Sequence, residues 1–228
     1  MSIKNFILKI KYFRRWFLSE FPQKTQLGYC AKNVRIEYPL HIESPKNVFI
    51  YENTYLRNNI HIINAPNETV IIKKNCVLAA NVSIITNNHK SIVSVPTPLL
   101  VSSHINDISQ NITIESDVWV GYGATILSGG NLNRGCIVGA KSLVTKPVPP
   151  YAVVAGIPAK IIAVRFSIEQ ILEHEKIYTE NERYTIEELQ KIFMEYYTNI
   201  PIYGDFINLT AEQKAQIKAT KLRISFID

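Results

Sequence analysis

The chain has 228 residues, of which 46% are hydrophobic, and a net charge of +6. That is enough for one substantial core, or for one domain with an appendage. No run of eighteen apolar residues occurs, so no membrane-spanning helix is expected. The positive charge suits an anionic partner, but no nucleic-acid motif accompanies it and the basic residues are dispersed, so nucleic acid is not an expected partner.

The first segment, 1–32, has Phe6, Ile10, Phe13 and Phe17 at spacings of 4, 3 and 4, the period of an amphipathic helix. Lys4, Lys9, Lys11, Arg14 and Arg15 interrupt it, which argues against a signal peptide. Such a helix is expected to cap the start of the neighbouring segment. A peripheral contact with an anionic membrane through this basic helix is the alternative.

From Ile36 a different period sets in. Ile36 and Ile42 open it, and after two extra residues Ile50, Leu56 and Ile62 continue at spacings of six. Four residues bulge out around Asn64-Ala65-Pro66-Asn67, and Ile72, Leu78 and Ile84 resume. The period is cleanest over 114–149, where Ile114, Val120, Ile126, Leu132, Val138 and Val144 each open a block of six. Four residues after these come Val118, Ala124, Gly130, Cys136, Ser142 and Val148, nearly all small. Helices repeat near 3.6 residues and strands at 2. A period of six needs short strands meeting at corners, three per coil, with the block-opening residue and the small fifth residue facing inward. About five coils are expected over 33–158. A β-sandwich would show irregular turn spacings of roughly 8–12 residues instead.

Regularity stops at "TNNHKSIVSVPTPLLVSSHINDISQN", 86–111. A break of that length is an excursion loop, and long loops in compact domains usually carry function. His89 sits at its base. A histidine there suits general base chemistry near neutral pH. Asn88 beside it and His104 within the loop are polar candidates for the same site. His61 should point outward, His41 reads as structural and His174 as a helix-surface residue.

The stretch "DVWVGYGATILSGGNLNRGCIVGAKSLVTKPVPPYAVVAGIPAKII", 117–162, resembles the hexapeptide-repeat acyltransferases, and "VPPYAVVAGIPAKII" is its most specific part. The resemblance covers roughly 33–165. It implies a left-handed parallel β-helix, a mainly β fold, working as a homotrimer with acetyl-CoA as acyl donor. The left-handed sense comes from the resemblance, because crossovers ordinarily favour the right hand. The segment "NVSIITNNH", 81–89, is similar to the family stretch that ends in the catalytic histidine, which assigns that role to His89. Asn59 matches the family position that contacts the acceptor, although "RNN", 57–59, could equally be a corner that needs Asn. The resemblance assigns Tyr122, Ala140, Thr145, Lys146 and Lys160 to the donor, with Trp119 as a possible wall.

The last segment, 166–228, loses the period. "SIEQ" (167–170), "TIEE" (185–188) and "TAEQ" (210–213) each place Ser or Thr three residues before Glu or Gln, the signature of a helix start. Three helices are expected to cover the last coil. Cys30, Cys76 and Cys136 have no redox or metal-ligand spacing, so a reducing, cytoplasmic location is expected and no metal centre. The five histidines contain no H-x4-H pair, which sets aside a hydratase of the gamma carbonic anhydrase kind. What remains is an acetyl-CoA-dependent O-acetyltransferase acting on a sugar hydroxyl in surface polysaccharide or glycoconjugate synthesis. A xenobiotic O-acetyltransferase, an amino-sugar N-acetyltransferase and a non-catalytic scaffold are the alternatives.

Overall fold

The computed structural model describes residues 9–13, 16, 17, 20–105, 107–204 and 209–225, with side chains to 220. Its centre is a triangular prism, a left-handed parallel β-helix. The first face stacks Tyr29–Cys30, Val48–Ile50, Val70–Ile72 and Ile112–Ile114, extended by single bridges at Leu132 and Val148. The second stacks Arg35–Ile36, Tyr55–Leu56, Val77–Leu78, Trp119–Val120, Ile137–Val138 and Ala152–Ala155. The third stacks Leu40–Ile42, Ile60–Ile63, Ser83–Ile85, Thr125–Leu127 and Leu143–Val144. This makes five coils and the start of a sixth, all in parallel register. Lys160–Val164 then folds back antiparallel on Ala152–Ala155 and ends the second face.

The period of six is the length of one side. Each side has two to four extended residues and a corner. At many corners one residue has positive φ, among them Asn53, Asn59, Asn75, Asn81, Asp117, Gly123 and Gly135. These are residue types that reach the left-handed region at low cost. Stacked corners also bond one another. The Asn53 amide donates to Asn75 and the Asn59 amide to Asn81, one coil along. Both inward positions of every block in 114–149 are buried, Cys136 included. Burial pushes the Cys76 thiol up to about 12 and raises Cys136 as well, so both are core residues.

Beyond the helical residues of the N-terminal segment, four α-helices have described bounds. The loop helix Thr97–Ser103 is α1, Ile168–His174 is α2, Ile186–Tyr196 is α3 and Ala211–Ser225 is α4. All three capping boxes form. Ser167 caps α2, Thr185 caps α3 and Thr210 caps α4, each with its reciprocal Gln or Glu bond. Helices α2 and α3 bury Ile171 and Leu189 against the prism. Buried Glu175 joins them to it, accepting from Tyr151 Oη at 2.5 Å and Arg134 Nη1 at 2.9 Å. His174 is not a free surface residue, since its Nε2 lies 2.8 Å from Asp117 Oδ2 at a prism corner. The expectation that all three helices cover the last coil fails for α4, whose residues 211–220 are all exposed. Its few large apolar residues, Ile217, Leu222 and Ile224, do not all fall on one face and give the prism no apolar stripe.

At the other end, Phe6 lies outside the described residues. Ile10, Phe13, Trp16 and Phe17 are about half exposed, and Phe21 meets Tyr38 of the first coil at 5.7 Å between ring centroids. Among the described residues no helix is long and apolar enough to cross a membrane.

Candidate active site at the neck of the excursion loop

The loop leaves the prism after Ser83–Ile85, at the corner that ends the third face, and it is not irregular throughout. Asn87–Asn88 pairs antiparallel with Ile108–Ser109, matching Asn87 with Ser109 and Asn88 with Ile108. The neck is tied to the preceding coil on two sides. Ser109 Oγ donates to Glu68 Oε1, and Thr69 N donates to Asn111 Oδ1 at 2.8 Å. Continuing the ladder by one rung sets His89 opposite Asp107. Residues opposite one another on such a pair bring their side chains within reach.

That rung holds the site. His89 Nδ1 lies 2.8 Å from Asp107 Oδ1, and His104 Nδ1 lies 2.8 Å from Asp107 Oδ2. One carboxylate therefore holds two imidazoles, with ring centroids 5.5 Å apart. His104 reaches it because α1 ends there. Buried Leu100 pins the helix, His104 N donates to Leu100 O at 3.0 Å, and His104 itself takes φ 52°. The His104 and His89 hydrogen bonds hold the Asp107 carboxyl below the usual carboxylate range. With Nδ1–H donated to Asp107, the Nε2 of His89 carries a lone pair and can accept a proton.

Asp107 is absent from the residues that the sequence singles out. A signal is present: it is the only acidic residue in 86–111, three positions after His104. Its pairing with His89 depends on the ladder, which spacing does not show. Asn88 is exposed in the ladder beside His89. Asn59 takes φ 61° and bonds Asn81, and among the described residues no hydrogen bond links it to the histidines.

The residues expected to meet the donor fall into two groups. Tyr122 and Ala140 are exposed on successive coils at the corner between the second and third faces, where Lys141 N donates to Tyr122 O. Thr145, Lys146 and Lys160 line a cleft of about 410 Å³, together with Pro147, Pro158 and Tyr196 of α3. Lys160 links the groups, since it pairs with Ala155, and Ala155 touches the coil at Gly139. In register, Ile84, Ile126 and Val144 stack. Lys146 therefore sits two coils beyond Thr86, about 10 Å along the axis at one coil per ~4.8 Å. Trp119 is half exposed on the second face.

The relatives and structural neighbours of this chain include proteins named as acetyltransferases, and a hexapeptide-repeat-containing acetyltransferase of Vibrio cholerae shares the fold, with a TM-score of 0.57 at 21% identity over 72% of this chain and 93% of that one. The galactoside O-acetyltransferase of Escherichia coli is 30% identical over 139 residues, 61% of this chain and 64% of that protein. A chloramphenicol acetyltransferase of Klebsiella aerogenes is 48% identical, but over 61 residues, 27% of this chain and 29% of that one. A solved galactoside acetyltransferase in complex with coenzyme A superposes with a TM-score of 0.56 at 25% identity, covering 78% of this chain and 86% of that one. The chain spans a little under two thirds of the length of the first curated relatives it matches. No family model matches it.

Proposed function

We propose that the chain is an acetyl-CoA-dependent O-acetyltransferase that acetylates a sugar hydroxyl in surface polysaccharide or glycoconjugate synthesis, with His89 as general base. The observation that carries this reading is the His89–Asp107 pair at the loop neck. Asp107 fixes the ring, and His89 Nε2 takes the proton from the acceptor hydroxyl as that oxygen attacks the thioester carbonyl. His89 then returns the proton to the departing CoA sulfur, so the histidine ends as it began. Asn88 offers an amide to neighbouring hydroxyls of the acceptor, and His104 borders the same space.

The cleft beside Lys146 and Lys160 suits the donor. Its volume lies in the range of small-molecule sites, and two ammonium groups favour phosphates. Tyr122 and Ala140 continue the path along the corner, where a small side chain lets a slender chain approach the backbone. The supporting comparison is a galactoside acetyltransferase solved with coenzyme A. A sugar acceptor is preferred to chloramphenicol because the galactoside relative matches over 139 residues and the chloramphenicol relative over 61.

The working form in this reading is a cytoplasmic homotrimer. Three free cysteines support a reducing compartment. Exposed Val93, Leu99 and Val101 at the loop tip supply apolar surface for a neighbouring subunit. The half-exposed Phe13, Trp16 and Phe17, with Lys9 and Lys11 beside them, leave room for a peripheral membrane contact.

The test is His89→Ala, assayed by CoA release over a panel of sugars and oligosaccharides. Turnover should fall by roughly 10²–10⁴, the usual share of general base catalysis, while CoA still binds. Turnover close to that of the unaltered protein would remove His89 from the chemistry.

A further inference from the structure

The arrangement at the loop neck does more than orient a base. One nitrogen of His89, one nitrogen of His104 and one oxygen of Asp107 all lie within 4.8 Å of one another. Two neutral imidazoles and one carboxylate are a donor set suited to a borderline divalent metal. Around a tetrahedral zinc ion, with bonds near 2.0–2.2 Å, neighbouring donor atoms stand about 3.3 Å apart. Each imidazole now lies 2.8 Å from a different oxygen of Asp107, and the three donor atoms lie within 4.8 Å of one another, so the widest separation has to close by up to about 1.5 Å on that geometry. His104 is two-thirds exposed and follows the end of a short helix, so it has room to make that movement. Its exposure also leaves an entry path for the ion. His89 and Asp107 are held by the ladder, which presents two donors in advance.

The chemistry selects the kind of ion. Calcium and magnesium prefer shells made of oxygen ligands, and two of the three donors here are imidazole nitrogens, which suit zinc. Zinc needs three protein donors and a water, and the cluster offers three. We propose that His89, His104 and Asp107 form a zinc(II) site, and that zinc bound there switches off the base. The binding stands by itself. The switching rests on the assignment of His89 made above.

The silencing comes from the two nitrogens of one ring. If the ion takes the Nδ1 lone pair, the Nδ1 proton leaves and the neutral ring carries its proton on Nε2, which can then only donate. If the ion takes Nε2, the accepting lone pair is used directly. In both cases His89 has no nitrogen left to receive the hydroxyl proton. The reverse also holds: chelation frees the nitrogen, the carboxylate regains both hydrogen bonds, and the base is restored.

The experiment uses the full chain stripped of metal with EDTA. Equilibrium dialysis against zinc chloride should give one zinc per chain, and cobalt(II) added in its place should develop the visible absorption of a tetrahedral site. His104→Ala, shown to keep the melting temperature of the parent, should weaken zinc binding at least about tenfold. Zinc that halves the parent's CoA release should leave whatever rate this variant retains unchanged. EDTA should restore the parent's rate. Failure to bind stoichiometric zinc, or equal binding by His104→Ala, overturns the site. Stoichiometric binding without inhibition of an active enzyme overturns the switch and leaves the site standing. If no acetyl transfer is found with any acceptor, the dialysis and cobalt arms still decide the site, and the failure belongs to the assignment of the reaction.

Discussion

In the proposed reaction Asp107 is the residue that orients the base. It accepts from His89 and His104, and a hydrogen bond to a charged group is worth roughly 1.5–3 kcal/mol. Asp107→Asn keeps the shape but can present an amide to His89 and favour the wrong tautomer. Turnover should fall about 10- to 100-fold on that scale, with the acceptor KM much less affected. A variant that loses KM and kcat in parallel, or loses neither, would show that Asp107 only shapes the loop. The pH sense is set by the depressed Asp107 carboxyl. Its charge, and the support it gives, are complete above the ordinary carboxylate range and fade only as the pH falls through the depressed value. A loss of turnover at higher pH than that arises elsewhere.

At the scale of the element, the prism depends on coils stacking at backbone distance. Gly121 N donates to Val138 O at 2.8 Å on the next coil. A Cβ added there would stand 2.6 Å from Ala140 N and 2.7 Å from Val138 O. Both are backbone atoms, which cannot swing aside as a side chain does. Gly121→Ala should therefore cost about 1–3 kcal/mol, the usual cost of overpacking, read from urea unfolding. Unchanged stability would mean that the coils separate more readily than this stacking implies. The buried cysteines give a second reading of the same core. Cys76, with its thiol pushed up to about 12, and fully buried Cys136 should resist Ellman's reagent at pH 8 until the chain unfolds. Labelling of either in the folded protein would contradict their place in the prism.

For the whole molecule, the excursion loop and the cleft proposed for the donor lie on different coils, which predicts separable effects. Replacing residues 91–103 by a short linker keeps His89 and Asp107 but removes α1. Acceptor use should weaken or shift, and the CoA dissociation constant should stay within about twofold, because sites without shared partners act nearly independently. Weakening of both substrates together would assign the loop to assembly instead.

The prism was legible in the sequence because its geometry is local. One inward aliphatic residue and one small residue per six, with Asn, Asp or Gly at many corners, reflect the length of a single side. The helix starts of α2, α3 and α4 were legible for the same reason, since a capping box spans four residues. Whether a helix finds a surface is not local. Helices α2 and α3 bury Ile171 and Leu189 and are locked by Glu175, whereas α4 stands off, its described side chains exposed. The base of the loop could be read from the place where the period breaks, and that reading reached His89. Its partner could not. Asp107 meets His89 across eighteen residues, beside a two-rung ladder in a neck that is tied to Glu68 and Thr69. The sequence by itself determined the coil, because each side repeats the same short-range constraint. Only the tertiary structure decided which carboxylate faces which histidine, because that depends on how the two strands of the neck are brought together.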